Sequence, residues 1–306
     1  MSALLSSRST YVTQFQPRLA LQRPVPVVSS RVVRSQKHLT KAKKFRIFAS
    51  AHQSQHVCCT STQEVVPDNS VCMILLAGGV GKRMGAKIPK QYLELNGRPI
   101  ATYSLETFAK MREVGEIVIV CEESWRYVFE EAMTSLRIDI PFKWASPGAE
   151  RQDSVFNGLQ EVSAGCEMVG VHDSARPLVQ PDDLSRCMVD GWNVGAAVLA
   201  VRVKETVKEV AENMDVIQTL DRSKLWAVQT PQMIKTQLLK NGYELVKKEG
   251  LEVTDDVSII EASGNRVVIT QGSYTNIKIT TPEDLSTALT FLDEGAKASN
   301  SVTAAA

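Results

Sequence analysis

Residues 73–92 combine an apolar segment with a glycine-rich, basic loop that is suited to holding a polyphosphate. The segment reads MILLAGGVGKRMGAKIPKQY. Because glycine has no Cβ, a loop with four glycines can adopt positive φ angles and bring backbone N–H groups close to phosphate oxygens. Positive charge is added by Lys82, Arg83, Lys87 and Lys90. The pattern therefore predicts a polyphosphate site directly after an apolar strand.

The spacing of this loop excludes two better-known phosphate motifs. A P-loop needs a glycine five residues before its Gly-Lys pair and a Ser or Thr after it, but this chain has Leu76 and Arg83 there. A dinucleotide fingerprint that starts at Gly79 needs a glycine at the position of Met84. The remaining pattern, LLAGGVGKRMG followed by PKQY, resembles nucleotidyltransferases that join a nucleoside triphosphate to a phosphorylated small molecule. A basic, flexible turn between a strand and a helix is the alternative.

The charge is distributed unevenly along the 306 residues, although the formal net charge is only +1. Residues 1–63 contain ten Lys or Arg, ten Ser and no Asp or Glu, whereas residues 64–306 contain 25 basic and 34 acidic residues. An acid-free, Ser- and Arg-rich N-terminus without a long apolar run is typical of a transit peptide, and its Ser and Thr content favours the chloroplast. We predict a disordered transit peptide over residues 1–70. A basic tail that binds nucleic acid or membrane is the alternative.

The remaining composition predicts one soluble, reduced domain. No segment reaches the roughly 18 apolar residues of a membrane span, and the aromatic residues of the leader are too sparse to favour nucleic-acid binding. We therefore expect neither a membrane nor a nucleic-acid partner. The four cysteines after residue 63 form no CxxC pair, and His172 is the sole histidine after residue 56. This pattern argues against a zinc cluster and a disulfide framework, and it favours reduced core cysteines.

Short apolar segments alternate with helical patterns from residue 71 to 293, which is typical of a mostly parallel sheet covered by helices. The predicted fold class is α/β, with one domain over residues 71–300. The predicted strands are Val71–Ala77, Glu116–Cys121, Phe142–Ala145, Met168–His172, Ala196–Val201, Ala227–Gln229, Val267–Thr270 and Asn276–Ile279. The predicted helices are Ile100–Arg112, Trp125–Leu136, Glu150–Val162, Pro181–Gly191, Thr236–Glu249 and Pro282–Asp293.

Residues 202–225 interrupt this alternation. Their sequence, RVKETVKEVAENMDVIQTLDRSKL, alternates polar and apolar side chains and carries ten charges, which predicts an exposed β-ribbon. A two-stranded ribbon is marginally stable alone in water and usually needs a partner. A solvated hairpin without a partner is the alternative.

Acidic and basic residues follow the predicted strand Met168–His172, in the segment Asp173-Ser174-Ala175-Arg176-Pro177. In an open α/β sheet, residues after the carboxyl ends of strands line the ligand crevice. Asp173 can there hold a divalent ion that bridges phosphates, and Arg176 can bind a phosphate in bidentate fashion. Taken alone, an N-cap Asp beside a surface arginine explains the segment equally well.

Three further segments carry candidate contacts. The turn Pro147-Gly148-Ala149-Glu150-Arg151 precedes a helix in which Ser154 can offer a hydroxyl to a base or ribose. Thr230 ends a predicted strand, and Lys278 lies within the predicted strand Asn276–Ile279. Lys278 can equally be an edge-strand charge that discourages aggregation.

Together, these motifs occur in the order and spacing of one family. GGVGKRMG, PKQY, HDSARP, Asp221-Arg222, QTPQ, TDDVS and NIKIT resemble the 2-C-methyl-D-erythritol 4-phosphate cytidylyltransferases over about residues 71–293. The resemblance implies a Rossmann-like sheet, a homodimer joined through the arm at about residues 202–225, and transfer of CMP from CTP to methylerythritol phosphate in plastid or bacterial isoprenoid synthesis. With the basic leader, it implies a location in the chloroplast stroma.

The resemblance also implies roles for individual residues. Arg83, Lys90 and Lys278 would be catalytic cations, and Asp173 would bind Mg²⁺ or another divalent cation. Contacts to the substrates would come from Ala77, Gly78, Gly79, Gly81, Gly148 and Ser154 at CTP, and from Arg176, Thr230, Thr206 and Arg222 at the acceptor phosphate. The last two would belong to the partner's arm.

Two other functions stay open at this stage. The first is a related enzyme that uses CTP or UTP with another acceptor, such as ribitol phosphate or a sugar 1-phosphate, because a phosphate loop does not identify the base. The second is a catalytically silent nucleotide-binding or regulatory protein. Such a protein would be expected to lose Lys90, Asp173 or Lys278, and all three are present.

Overall fold

The computed structural model describes residues 64–79 and 88–303, with side chains described up to residue 295. Residues 1–63, which hold most of the predicted transit peptide, lie outside the described residues. The segment 80–87 also lies outside them, and with it the predicted site residues Gly81 and Arg83.

The described residues alternate between strands and helices. The strands are β1 (Val71–Leu76), β2 (Glu94–Leu95), β3 (Arg98–Pro99), β4 (Val114–Val120), β5 (Phe142–Ala145), β6 (Met168–Asp173), β7 (Ala196–Arg202), β8 (Lys208–Val210), β9 (Val216–Thr219), β10 (Trp226–Lys235) and β11 (Val268–Gln271). The helices are α1 (Ala101–Ala109), α2 (Arg126–Leu136), α3 (Arg151–Gln160), α4 (Pro181–Val194), α5 (Thr236–Glu249), α6 (Asp256–Ala262) and α7 (Pro282–Thr303). None of these helices is both long and apolar enough to cross a membrane.

Within the described residues, seven strands form one sheet in the order β11-β7-β10-β6-β1-β4-β5. β1 is parallel to both β4 and β6, whereas β10 is antiparallel to β6 and β7. The predicted α/β class with a mostly parallel sheet is confirmed. The strand order changes direction at β1, and in open α/β sheets ligands bind outside the carboxyl ends of strands at such a point.

The central strand β1 is buried on both faces of the sheet, which explains its uninterrupted apolar sequence. Because successive side chains of a strand point to opposite faces, Met73 and Leu75 pack into one hydrophobic cluster, while Cys72 and Ile74 pack into another. This double burial makes the end of β1 a rigid base for the segment that follows it.

The predicted ribbon at residues 202–225 forms a hairpin of its own. β8 and β9 pair with each other as an antiparallel two-stranded sheet, and all of their residues are exposed. Apolar side chains on the hairpin, including Met214, Val216 and Ile217, lie in solvent. The role of this arm in a dimer stays a prediction.

One predicted strand, Asn276–Ile279, is not formed. The backbone N–H of Asn276 donates to the Ser273 carbonyl within a turn, and the N–H of Ile279 donates to the carbonyl of Ala175 after β6. These bonds do not form the repeated ladder that a strand requires. Lys278 is therefore not an edge-strand charge, and its segment instead lies against the loop after β6.

Candidate active site

A pocket of about 460 Å³ lies at the carboxyl ends of β1 and β6. Its walls come from the segments that follow β1, β4, β5 and β6 and from the segment before α7. The lining includes seven predicted site residues: Gly78, Gly79, Lys90, Gly148, Ser154, Asp173 and Lys278. The parallel strands thus bring together predicted site residues that are up to 200 positions apart in sequence.

Two side chains of the PKQY motif donate hydrogen bonds to the backbone of the segment after β1. Gln91 Nε2 donates to the carbonyl oxygens of Ala77 and Gly79, at 2.6 and 2.9 Å, and the hydroxyl of Tyr92 donates to the Ala77 carbonyl at 2.9 Å. Gln91 is 2% exposed and Ala77 is 1% exposed. Ala77 therefore supports the pocket wall without lining it. The PKQY motif contains Gln91, but the supporting role of this side chain is visible only in the fold.

We expect Gln91→Leu to destabilise the protein because it removes the two hydrogen bonds from Gln91 Nε2 to the carbonyls of Ala77 and Gly79. The free energy of unfolding should fall by about 1–3 kcal/mol, the usual cost of leaving a buried polar group without its partner. Gln237→Leu is the matched control, since Gln237 is exposed and donates to Asn241 Oδ1 on the surface of α5. It should change the free energy by less than about 0.5 kcal/mol. Equal urea midpoints for Gln91→Leu and the unmutated protein would contradict the assigned role.

The turn before α3 forms the opposite wall of the pocket. Ser154 Oγ accepts a hydrogen bond from the N–H of Gly148 at 3.0 Å and donates to the carbonyl of Glu150 at 3.1 Å. A Cβ on Gly148 would lie 2.2 Å from the Cβ of Asp153, so glycine is required by this close approach. The direct contacts to CTP predicted for Gly148 and Ser154 stay predictions.

Asp173 lies between two cations at the carboxyl end of β6. Lys278 Nζ lies 2.7 Å from Asp173 Oδ2, and Arg151 Nε lies 3.3 Å from Oδ1. Burial of Asp173 opposes ionisation, but the charges of Arg151 and Lys278 outweigh it and hold the pKa of this carboxyl well below its usual range. The carboxyl group of Asp173 is therefore ionised at neutral pH.

Arg151 joins the pocket to α6 and was missed by the sequence analysis as a site residue. Its guanidinium forms a bidentate pair with Asp256, with Nη1 3.1 Å from Oδ1 and Nη2 2.8 Å from Oδ2. Burial would lower the pKa of Arg151, but the carboxylates of Asp256 and Asp173 raise it above its usual value. The only sequence signal for this residue was its position in the turn before α3.

Thr230 and Arg176 lie behind Asp173 and do not line the pocket. Thr230 Oγ1 accepts from the backbone N–H of Asp173 at 3.1 Å and lies 3.1 Å from Nδ1 of His172, while Arg176 Nη1 donates to the carbonyl of Asn276 at 2.8 Å. Burial lowers the pKa of His172 to about 4, so its imidazole is neutral at pH 7. This arrangement fixes the loop after β6, and direct contact of Arg176 and Thr230 with a substrate stays a prediction.

The two predicted residues of the arm, Thr206 and Arg222, are not among the lining residues. Thr206 and Arg222 are exposed, and Arg222 Nη1 donates to the carbonyl of Lys204 at 2.7 Å. Neither side chain lines the pocket of its own chain in the region described. Their predicted role therefore depends on a second subunit.

The donor set fits a divalent cation that is shared with a polyphosphate. Residues 64–79 and 88–303 contain no group of three or more His, Cys, Asp or Glu that could hold a metal ion by itself. Mg²⁺, however, is often held by one or two carboxylates, with water and substrate phosphates completing its octahedral shell. The ionised carboxylate of Asp173 in a pocket lined by Lys90 and Lys278 meets that requirement.

Comparison with known sequences identifies one family. The model for IspD, 2-C-methyl-D-erythritol 4-phosphate cytidylyltransferase, matches residues 71–294. The chain is 54% identical over 231 residues to the chloroplastic 2-C-methyl-D-erythritol 4-phosphate cytidylyltransferase of rice, covering 76% of this chain and 77% of the rice protein. It is 45% identical to the enzyme of that name from Geobacillus kaustophilus over 69% of this chain and 92% of the relative.

Solved structures with the same fold carry the corresponding names. The 4-diphosphocytidyl-2C-methyl-D-erythritol synthase of Anaerococcus prevotii has a TM-score of 0.66 and 28% identity, over 73% of this chain and 96% of that one. The 2-C-methyl-D-erythritol 4-phosphate cytidylyltransferase of Francisella tularensis has a TM-score of 0.61 and 31% identity, over 72% of this chain and 98% of that one. The family model, which matches residues 71–294, includes every strand of the seven-stranded sheet.

Proposed function

The chain belongs to the 2-C-methyl-D-erythritol 4-phosphate cytidylyltransferase family, and we propose that the pocket at the carboxyl ends of β1 and β6 is its active site. The enzyme transfers CMP from CTP to 2-C-methyl-D-erythritol 4-phosphate, giving 4-diphosphocytidyl-2-C-methyl-D-erythritol and pyrophosphate, in isoprenoid synthesis. The relatives support this acceptor and not ribitol phosphate or a sugar 1-phosphate. This placement rests on one observation: the ionised carboxylate of Asp173 lies between Lys278 and Arg151, in a pocket that Gly78 and Gly79 also line.

The reaction needs little proton transfer from the protein. The second pKa of a phosphate monoester is about 6, so the acceptor phosphate is largely dianionic at neutral pH and can attack without a general base. One of its oxygens forms a bond to the α-phosphorus of CTP, and the bond from that phosphorus to the bridging oxygen of the β-phosphate breaks. Pyrophosphate leaves with the bond electrons. The absence of any histidine from the pocket lining within the described residues is consistent with this chemistry.

The main obstacle is the approach of two anions and the charge on the transferred phosphoryl group. Cationic groups positioned where that charge develops lower the barrier. We assign this role to Lys90 and Lys278, together with Arg83 from the segment outside the described residues. Lys278 is well placed because its ammonium group is already held beside Asp173.

We further propose that Asp173 holds Mg²⁺, or another divalent cation, against the phosphates of CTP. When bound, such an ion neutralises phosphate charge and polarises the phosphoryl group under attack. Asp173 offers one carboxylate, kept ionised by the charges of Arg151 and Lys278. Arg151 would keep this carboxylate in place through its own bidentate pair with Asp256.

A pyrophosphate-release assay tests the assignment directly. The protein is incubated with Mg²⁺, with CTP or UTP, and with methylerythritol phosphate, ribitol phosphate or a sugar 1-phosphate. We expect rapid release only with CTP and methylerythritol phosphate. Faster release with another acceptor would overturn the substrate assignment, and full activity after removal of divalent ions would overturn the role of the metal.

We propose that the enzyme works as a homodimer in which the arm completes the partner's site. The exposed apolar residues on the arm need a partner, and its substrate-binding candidates Thr206 and Arg222 are absent from the pocket of their own chain in the region described. In a two-fold dimer, the arm of each subunit would contribute to the active site of the other subunit.

We also propose that the predicted transit peptide directs the chain to the chloroplast stroma, and that it ends before Val66 and not at residue 70, because Val66 is packed in the hydrophobic core. The rice relative is chloroplastic, which supports a chloroplast location for this plant-type enzyme. The acid-free, basic composition of the leader agrees with import into that organelle.

Removal of the leader should leave the enzyme active if cleavage precedes Val66. Val66 is 4% exposed within the core, and the backbone N–H of Glu64 donates to Asn193 Oδ1 at 3.0 Å. A protein that begins at Glu64 should keep full turnover and stability. One that begins at Asp68 loses the buried valine and should be less stable by about 1–3 kcal/mol. Failure of the Glu64 protein to fold would show that the leader is structural.

A further inference from the structure

The ring of Pro147 lies directly against Gly78, on the opposite wall of the pocket. An ideal Cβ on Gly78 would lie 2.4 Å from Pro147 Cγ and 2.5 Å from Pro147 Cβ. These distances are far below van der Waals contact, so the two residues touch through the bare Cα of the glycine. Both residues line the pocket, Gly78 on the segment after β1 and Pro147 on the turn before α3. The contact therefore joins two walls that are separated by almost 70 residues in sequence.

We propose that Pro147 is a positioning residue for nucleotide binding, which fixes the spacing between Gly78 beyond the end of β1 and the turn before α3. The inference rests on the assignment of this pocket to CTP. Proline suits the role because its ring fixes φ near −65° and reduces the freedom of the turn before any ligand arrives. A binding site that is already ordered loses less conformational entropy on binding, and its affinity is higher for that reason.

The surroundings of the contact explain why Pro147 controls the spacing. On one side, Gln91 donates hydrogen bonds to the carbonyls of Ala77 and Gly79, and these bonds fix the backbone on both sides of Gly78. On the other side, Ser154 holds the N–H of Gly148 in the turn that contains Pro147. The sheet joins the two segments as far as Ala77 and Ala145, through the bonds from Ala77 N–H to the Val120 carbonyl and from Cys121 N–H to the Ala145 carbonyl. Beyond the sheet, the contact between Gly78 and Pro147 sets the distance between the two walls.

The first test is Pro147→Gly, assayed for CTP binding and for turnover. Loosening the turn should raise the KM for CTP and its Kd by about 3- to 10-fold, as loss of preorganisation does. The kcat at saturating CTP should stay within about twofold, because Pro147 is not a catalytic residue. An unchanged KM for CTP, or a loss confined to kcat, would overturn the proposal.

The second test introduces a methyl group at position 78 and then removes the Pro147 ring with which it clashes. Gly78→Ala places a methyl group against the ring and should weaken CTP binding by about 10- to 100-fold, the range expected for overpacking a tight contact. In the double variant Gly78→Ala/Pro147→Gly the ring is absent, and CTP binding should return to that of Pro147→Gly alone, about 3- to 10-fold weaker than in the unmutated protein. A double variant that binds CTP as weakly as Gly78→Ala would overturn the proposal, because the methyl group would then act on the nucleotide directly.

Gly79→Ala is the matched control for this rescue. Gly79 also lines the pocket, but a Cβ on it would meet no atom of the described residues within 4 Å. Pro147→Gly should therefore not improve CTP binding by Gly79→Ala, and an equal improvement in both backgrounds would overturn the specific contact. Binding is measured by calorimetry with CTP and Mg²⁺ in the absence of acceptor, and melting curves verify that each variant is folded. Absence of CTP binding by the unmutated protein would instead overturn the pocket assignment, and the inference with it.

Discussion

Replacing Lys90 with alanine should lower kcat by about 10²- to 10³-fold while leaving the melting temperature nearly unchanged. Lys90 lines the pocket at the start of the 3-10 turn that also contains Gln91, and the proposed active site must hold a triphosphate beside a second phosphate. Removal of one positioned electrostatic donor typically costs this factor in rate, because the lost charge stabilises the transition state more than the ground state. Steady-state kinetics at saturating CTP and methylerythritol phosphate measure the effect.

Lys110→Ala is the control for this experiment. Lys110 is a lysine on the protein surface that pairs with Glu106 four residues earlier, outside the pocket lining. Exposed pairs of this kind contribute about 0.3–0.5 kcal/mol at most, so this variant should keep full turnover. Near-normal kcat for Lys90→Ala, with both proteins fully folded, would remove Lys90 from the catalytic assignment.

Co-expression of two inactive variants should restore activity if the arm acts across a dimer. Arg222→Ala and Lys90→Ala homodimers should each be nearly inactive. In a mixed dimer, one site collects both lesions, while the other receives an intact Lys90 from its own chain and an intact Arg222 from the partner. Random pairing makes about half of the dimers mixed, and each mixed dimer has one intact site of its two. Roughly a quarter of all sites should therefore be intact, and activity should return to about a quarter of that of the unmutated protein.

A second pair of variants controls for nonspecific recovery. Lys90 and Lys278 line the pocket of one chain, so a mixed dimer of Lys90→Ala and Lys278→Ala leaves one lesion in each site. No activity should return in that mixture. If purified mixed dimers of Arg222→Ala and Lys90→Ala are equally inactive, Arg222 acts within its own chain or has a purely structural role.

Local sequence patterns determined much of the fold. β5 and α5 occur at the predicted residues, and the exposed hairpin at residues 202–225 follows its alternating pattern. Such features depend on neighbouring residues, whose periodicity records which faces are buried. The glycine-rich, basic segment after β1 is also recognisable locally, because glycine spacing and charge are properties of a short stretch of chain, and its binding of phosphate stays a prediction.

The predicted strand at Asn276–Ile279 was wrong, because the local composition does not show whether a partner strand is available. Its alternating apolar residues suit a strand, but the adjacent backbone comes from the loop after β6, which offers no ladder of hydrogen-bonding groups. Lys278 owes its place beside Asp173 to this packing and not to a strand. A periodic segment becomes a strand only where a partner strand is available.

The sequence by itself determined the apolar strands, the glycine-rich loop and the types of charged residue near the pocket. Only the tertiary structure decided which of them meet: Arg151 with Asp173 and Asp256, Lys278 with Asp173, and Pro147 with Gly78. These partners are between 22 and 105 residues apart in sequence. Their contacts depend on how parallel strands and the loops beyond them pack together, and local periodicity carries no record of that packing.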